Sequence, residues 1–168
     1  MNLKLIAITI AALGYQLPLL ASAPSGVYIK NIRYNGTGCP AYTVSKNLSR
    51  DAKAFTLTFS DYIAEVGPGV SRREGRKNCQ VTVDLDFPMG WQYAVMSFDY
   101  RGFASLDRGV MAEQGVSYYF QGQGHTGRSR SRLRGEFDDD WQFRDRIGLD
   151  TYVWSPCGEK RALNINSS

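Results

Sequence analysis

The sequence predicts an all-β protein, specifically a single-domain antiparallel β-sandwich of jelly-roll-like type that is stapled by a disulfide. Short stretches alternate apolar and polar residues, as in CQVTVDLDF (79–87), where Val81, Val83, Leu85 and Phe87 share one face. Glycine, proline, asparagine and aspartate separate these stretches, as is typical of turns between strands. No stretch keeps a 3.6-residue apolar period beyond two turns, so the pattern does not favour helices.

The predicted strands follow one another at short intervals. In chain order they are VYIKNIRY (27–34), YTVS (42–45), AFTLTFSDYIAEV (54–66), CQVTVDLDF (79–87), WQYAVMSFDYRGFASL (91–106), GVSYYFQGQG (115–124), WQFRDR (141–146), TYVWS (151–155) and ALNIN (162–166). The long apolar run at 91–106 is predicted to cross the centre of a sheet. The glycines, Pro68 and charges of GPGVSRREGRKN (67–78) predict a loop, and PMG (88–90) predicts a turn.

Residues 1–23 have the layout of a secretory signal peptide that is removed. A basic residue precedes an apolar run, and the small residues Ala21 and Ala23 then stand at the −3 and −1 positions of a cleavage site. Pro24 is unfavourable as a new N-terminus, so the cut can fall a residue or two later. A membrane anchor is the alternative, but the apolar run is shorter than the ~20 residues of a spanning helix. We therefore expect residues 24–168 to be one secreted, extracellular domain.

Composition limits the partners and cofactors. The formal net charge of +4 is too small to imply a nucleic-acid partner. Cys39, Cys79 and Cys157 allow one bridge outside the cell, and all three pairings stay open. The odd cysteine can pair with another chain or stay buried. His125 is the only histidine and no C-x-x-C pair exists, so we expect no metal site of the usual zinc type and no cofactor.

Three N-x-[ST] sequons stand at Asn35, Asn47 and Asn166. In a secreted eukaryotic protein such sequons predict N-glycans at one or more of these positions. The alternative is that they arise by chance in loops rich in asparagine and serine. The prediction lapses if the source is bacterial.

Catalytic candidates are few and weak. Asp84 and Asp86 are two apart on one strand face, which places their Cα atoms about 6.6–6.8 Å apart. That approaches the ~6.5–9.5 Å carboxyl separation of inverting glycosidases. Alternating polar residues are also typical of the solvent-exposed face of a strand. We favour the interpretation that Asp84 and Asp86 belong to such a face. His125, in a glycine-rich loop, is a possible general base, and Ser117, Ser129 and Asp138 are candidate partners for it in a catalytic triad. No G-x-S-x-G nucleophile motif accompanies it. Whether the protein is an enzyme stays uncertain, and the sequence leans towards no.

Aromatic side chains are candidates for stacking on a glycan, namely Trp91, Trp141, Trp154 and the pair Tyr118 and Tyr119. Most rings in a small sandwich fill the core, and we expect Trp91 and Trp154 there. Trp141 stands between Asp140 and Gln142, which makes it the best candidate for an exposed, binding tryptophan.

The stretch RSRSRLR (128–134) is the most unusual in the chain. Its period of two places Arg128, Arg130, Arg132 and Arg134 on one face of a strand. The acids of GEFDDDW (135–141) follow at once, and a hairpin that turns near Gly135 would set opposite charges across a strand pair. We therefore predict a solvent-facing hairpin and not a nucleic-acid arm. Whether the arginine face binds a partner stays open.

Several unusual phrases occur in order between about residues 31 and 166: YNGTGCP, VGPGV followed by RKNCQ, FPMGWQY, YRGFASLDRGV, SYYFQGQ, VWSPCG and LNIN. Together they resemble the small secreted proteins of fungi and some bacteria that form domain-of-unknown-function family 4360. The resemblance implies secretion, a cysteine-stapled β-rich fold and a fungal source, and it implies no activity. Similar proteins continue past LNIN, in some cases with another cysteine that could partner the odd one. They are rich in serine and threonine where this chain has arginines.

We therefore predict a small secreted protein of unknown function that acts as an extracellular binding or interaction protein, on cell-wall glycan or on a host or competitor surface. One alternative is a secreted polysaccharide-acting hydrolase that uses strand carboxylates. The other is a structural wall or surface protein, linked through the odd cysteine. Ligand and oligomeric state stay open.

Overall fold

The structure, a computed structural model, describes residues 26–51, 53–148 and 152–168. These residues form strands and no helix, so the all-β prediction is confirmed. The strands are β1 (Tyr28–Asn35), β2 (Val44–Leu48), β3 (Phe55–Phe59), β4 (Cys79–Asp86), β5 (Ser97–Leu106), β6 (Met111–Phe120), β7 (Gly127–Arg134), β8 (Phe137–Arg146) and β9 (Leu163–Ser167). The predicted signal peptide and its cleavage site lie outside the described residues.

One layer of the fold is a five-stranded sheet with the order β1-β4-β9-β6-β7, in which every neighbouring pair is antiparallel. The alternation in β4 is seen as predicted, because Val81 and Val83 are buried while Gln80 is exposed. Core side chains from β6 and β9 continue this inner face, among them Phe120, which has no exposed surface. The inner face of this sheet therefore carries the centre of the core.

Strands β5 to β8 form one long hairpin that is folded in half. The register of β5 with β8 ends at Leu106 opposite Phe137, and the register of β6 with β7 starts at Met111 opposite Arg134. Between them both arms cross from one layer to the other, and the amide of Gly135 donates to the carbonyl of Val110 at 2.9 Å. We call this bend, at residues 107–110 and 135–136, the corner. It places the open end of the hairpin, at Ser97 and Arg146, over the closed end, at Tyr118 and Gly127.

The second layer consists of two ribbons, β2–β3 and β5–β8. Side chains from both pack against the core of the sheet, including Phe55, Leu57 and Phe59 from β3 and Phe98 and Tyr100 from β5. The fold is therefore two layers of antiparallel strands around one core. The prediction that 91–106 crosses the centre of a sheet is wrong, because β5 pairs with β8 alone and residues 91–96 contribute only the isolated bridge of Ala94 with Trp154.

The disulfide joins Cys39, after β1, to Cys79 at the start of β4, with the Cα atoms 5.5 Å apart. Both cysteines are buried in the core. Cys157 is a free, exposed thiol in the turn at 157–158. The structure thus selects one of the three pairings that the sequence left open.

Candidate functional site

The arginines of β7 lie on the outer face of the five-stranded sheet, at its edge. The strand alternates strictly, with all four arginines exposed and Ser129, Ser131 and Leu133 half-buried on the other face. This part of the prediction agrees with the structure. We call the four residues Arg128, Arg130, Arg132 and Arg134 the arginine face.

Glu113, on β6, is the acid that meets the arginine face. Its Oε2 lies 2.8 Å from Nε of Arg132, and its Oε1 lies 3.7 Å from Nε of Arg130. The two guanidinium groups lower the pKa of Glu113, with the Arg132 hydrogen bond as the main cause. Arg128 and Arg134 have no carboxylate within ion-pair distance among the residues that the structure describes. The arginine face therefore keeps an excess of positive charge.

The predicted charge pairing across β7 and β8 is wrong. These strands are consecutive segments of one arm of the folded hairpin, so β7 pairs with β6 and β8 pairs with β5. Asp138, Asp139 and Asp140 stand opposite β5 and are exposed. Glu136 pairs with Arg108 at the bend of the hairpin, with Oε2 3.5 Å from Nη2, and so does not meet the arginine face.

A cleft of about 420 Å³ opens between the start of β7 and the end of β8. Its lining comprises Phe98, Tyr118, Gly127, Arg128, Ser129, Arg144, Asp145, Arg146, Ile147 and Gly148. The bend of the hairpin brings these segments together, because it places the end of β8 against the start of β7. Sequence reasoning named Arg128, Tyr118 and Ser129 from this set, each for a different role, and did not place them in one site.

The inner wall of the cleft is aromatic. The rings of Phe98 and Tyr118 are 5.3 Å apart, and Phe98 also stacks on Tyr100 at 6.1 Å. The hydroxyl of Tyr100 is buried with no hydrogen-bond partner among the described residues, and burial together with the nearby Asp145 raises its pKa. Gly127 lies directly against Tyr118, since a Cβ at Gly127 would stand 2.3 Å from the Cζ of the ring.

The cleft has charged side chains at its rim. Arg144 is engaged by Asp99, with Nε and Oδ1 2.5 Å apart. Arg128 and Arg146 have no ion pair with any described residue, and Asp145 is half-buried between the layers. The cleft thus offers two free guanidinium groups and one carboxylate beside an apolar wall.

Asp84 and Asp86 lie together on the outer face of β4, but both are held in ion pairs. Asp84 accepts a hydrogen bond from Arg33, with Oδ1 3.3 Å from Nη2, and its Oδ2 lies 3.1 Å from the same nitrogen. Asp86 is bound by Lys160 and also accepts from the hydroxyl of Tyr28 at 3.2 Å. The Lys160 hydrogen bond is the main cause that lowers the pKa of Asp86. A second cavity of about 280 Å³ lies beside these groups and is lined by basic as well as acidic side chains.

His125 is exposed in the turn between β6 and β7. Ser117 and Ser129 alternate onto opposite faces of the sheet, and Asp138 lies at the corner end of β8, far along the hairpin from this turn. The structure therefore does not gather these residues into a nucleophile–base–acid arrangement.

The tryptophans are arranged differently from the prediction. Trp91 and Trp154, expected in the core, are 44% and 51% exposed. Trp141 is half-buried, with its ring over Gly102 and 5.2 Å from the ring of Phe143. Trp154 carries an edge contact with Tyr152. Sequence context failed here because burial of these rings depends on the way in which the second layer divides into two ribbons.

The sequon asparagines differ in exposure. Asn35 ends β1 and Asn47 lies in β2, and both are exposed. Asn166 lies half-buried in β9, where it stands opposite Gln80 on one side and Ser117 on the other. Among the described residues, no cluster of three acidic, histidine or cysteine side chains could hold a metal ion. None of the described segments is a helix of the length and apolarity that crossing a membrane requires.

Comparison with known proteins places the chain among uncharacterised relatives. The family model for the domain of unknown function DUF4360 matches residues 25–168. A curated protein of Arthroderma benhamiae, described as an uncharacterized secreted protein, is 46% identical over 147 residues, which cover 88% of this chain. The match covers 60% of that relative, so the chain spans less than two thirds of its length. No solved structure matches the chain.

Proposed function

The chain belongs to the family of the domain of unknown function DUF4360, and from this membership and the geometry of β7 we propose that it is an extracellular binding protein for an anionic surface polysaccharide. The observation that carries the proposal is the arginine face. Four exposed guanidinium groups share one strand face, and Glu113 is the carboxylate that meets them. Alternate residues of a strand are about 6.6–6.8 Å apart, so the arginines form a row about 20 Å long. A linear polyanion fits such a row.

The extracellular setting rests on two supports. The relative from Arthroderma benhamiae is described as secreted. Residues 1–23 have the layout of a signal peptide, whose removal would leave residues 24–168 as one domain. A cell-wall glycan, or the surface of a host or a competitor, is a partner that such a protein would meet.

Retention on an immobilised carboxylated polysaccharide tests the proposal. We expect retention at an ionic strength of about 0.01 M and release at about 1 M, because the Debye length falls from ~30 Å to ~3 Å. Arg128→Gln and Arg134→Gln should each weaken binding about 1.5- to 5-fold, which corresponds to ~0.2–1 kcal/mol per exposed ion pair.

The matched control is Arg101→Gln, since Arg101 is exposed on β5, in the other layer. It should bind as the unchanged protein does. Equal binding by all three variants, or equal retention on a neutral glucan, would contradict the proposal.

The hydrolase alternative receives less support from the geometry. A glycosidase needs one carboxylic acid whose pKa is raised so that it stays protonated. The ion pair with Lys160 shifts the pKa of Asp86 in the opposite direction. Asp84 is likewise paired, with Arg33. Turnover of a polysaccharide panel that Asp84→Asn abolishes would favour hydrolysis over binding.

A structural role is the second candidate that a specific observation favours. Cys157 is exposed and unpaired, and thiols outside the cell tend to be oxidised where a partner is in reach. A covalently linked wall protein would be extracted only with a reducing agent, and Cys157→Ser would be extracted without one. Extraction of both forms by salt alone would leave the binding role standing.

Glycan attachment is part of the same proposal. Asn35 and Asn47 are exposed, whereas Asn166 lies within the central strand β9. We therefore expect glycans at Asn35 and Asn47. Treatment with an N-glycanase should increase gel mobility, and Asn166→Gln should leave the mobility of the secreted protein unchanged.

A further inference from the structure

The cleft between β7 and β8 is formed by the fold of the long hairpin. Residues 127–129 stand on one side of the corner and residues 144–148 on the other, and the fold brings them face to face. The cleft therefore lies where the edge of the five-stranded sheet meets the edge of the β5–β8 ribbon. Its volume of about 420 Å³ lies within the range of ~300–1,000 Å³ that is usual for small-ligand sites.

The cleft has one apolar wall and a polar rim. Phe98 gives the cleft a half-buried ring, and the ring of Tyr118, which is only 3% exposed, packs against it at 5.3 Å. An aromatic ring suits the apolar face of a sugar. Arg128 and Arg146 are rim cations that have no ion pair with a described residue. Asp145 is a half-buried acceptor in the same cleft. A ligand that matches these groups has an apolar face, hydroxyl donors and a negative charge.

We propose that this cleft binds a single uronic-acid residue of an acidic polysaccharide. Arg128 and Arg146 bind the carboxylate, Asp145 accepts hydrogen bonds from ring hydroxyls, and the ring of Phe98 contacts the C–H face of the sugar. The choice of a sugar rests on the proposed function. Because the carboxylate of Asp145 only accepts hydrogen bonds, it favours a ligand that offers hydroxyl donors beside its negative charge.

The cleft also continues into the arginine face. Arg128 belongs to both, and the rest of the row extends from it along β7 to Arg134. A polymer with one residue seated in the cleft can therefore lie along the row. The cleft would choose the type of sugar, while the row would add charge-dependent affinity.

A trimer of galacturonic acid tests the cleft apart from the row. Titration calorimetry at an ionic strength of about 0.15 M, where the Debye length is ~8 Å, should show saturable binding. Arg146→Gln should weaken it about fivefold or more, because Arg146 lies in the cleft and not in the row. Arg101→Gln should leave trimer binding unchanged. In a nuclear magnetic resonance titration, the amides of Gly127 and Ile147 should shift.

Two further probes separate the ligand classes. A neutral galactose trimer should not bind, and binding as tight as that of the galacturonate trimer would overturn the proposal. A hexamer of glutamate should bind more weakly than the galacturonate trimer. Tighter binding of the peptide would overturn the proposal in favour of strand addition at the free edge of β7.

The failure of this proposal and that of the proposed function can be told apart. If the polysaccharide is retained but the trimer does not bind, the cleft proposal fails and the proposed role of the arginine face stands. The same holds if Arg146→Gln binds the trimer as tightly as the unchanged protein does. If the polysaccharide itself is not retained, the proposed function fails. An unchanged unfolding midpoint for Arg146→Gln shows that any loss of binding is not a loss of folding.

Discussion

Glu113 and Arg132 face each other across β6 and β7, with Oε2 2.8 Å from Nε. The same carboxylate also lies near Arg130. One acid therefore offsets part of the charge of the arginine face, and this pairing within the sheet replaces the one expected with the acids of β8. The binding strength of the face should depend on this residue.

Glu113→Gln should strengthen the binding of a sulfated polymer to the arginine face. The change removes the carboxylate that competes with the ligand for Arg130 and Arg132, so we expect affinity to rise by about 1.5- to 5-fold. Elution from a dextran sulfate column should shift to higher salt. Glu74→Gln is the control, because Glu74 pairs with Lys77 in the loop before β4. Elution of Glu113→Gln at unchanged or lower salt would contradict the prediction.

Removing the disulfide should destabilise the fold by roughly 4 kcal/mol. Cys39 and Cys79 are 40 residues apart in sequence, and closing a loop of that length lowers the entropy of the unfolded chain by about this amount. Urea unfolding of the double variant Cys39→Ala/Cys79→Ala measures the loss. Cys157→Ser serves as the control, because this thiol is exposed and outside the bridge. A double variant as stable as the control would count against the bridge.

Phe120→Ala should cost about 3–5 kcal/mol of unfolding free energy. Phe120 has no exposed surface and meets the ring of Tyr93 at 4.9 Å, so truncation leaves a cavity in the core. Phe103→Ala is the matched control, since Phe103 is 65% exposed, and its effect should stay within about 0.5 kcal/mol. Similar losses for the two variants would mean that the core lies elsewhere.

Gly127→Ala should destabilise the protein by about 1–3 kcal/mol, because a Cβ at this position collides with the Tyr118 ring that forms a wall of the cleft. Gly124→Ala, in the adjoining turn, has no atom within 4 Å of the added Cβ and should be nearly neutral. Thermal unfolding compares the two. Equal midpoints would argue against the close approach of Gly127 to Tyr118.

Asp86 should contribute stability that depends on pH. Its pKa is lowered in the folded protein, chiefly by Lys160, so its contribution is present above the unfolded value of ~3.9 and is lost as the pH falls through the lowered folded value. Asp86→Asn should therefore be less stable than the unchanged protein at neutral pH and should match it in strong acid. Asp138→Asn is the control, because Asp138 is exposed on β8 and has no ion pair with a described residue, and at neutral pH it should be as stable as the unchanged protein. A constant gap between the Asp86→Asn and unchanged curves would exclude this linkage.

The sequence located the arginine face but not the cleft. Its period of two places the four arginines on one side of β7 whatever that strand pairs with. Phe98, Tyr118 and Arg146 come together only because the hairpin folds at residues 107–110 and 135–136. The sequence does carry a related pattern, since β5 is joined to β6, and β7 to β8, by links of only a few residues. This pattern does not predict the bend, because it also fits a straight hairpin whose strands all lie in one sheet.

Local sequence alone determined which faces of the strands are apolar. Val81 and Val83 alternate with polar neighbours, and side chains of a strand alternate by covalent geometry, so their burial follows once any sheet covers them. The tertiary structure decided what each strand meets. It placed β9 between β4 and β6, paired β7 with β6, selected Cys79 as the partner of Cys39 and left Trp91 and Trp154 exposed. These outcomes depend on contacts between residues distant in the chain, whose free energy comes from the area that the two layers bury together.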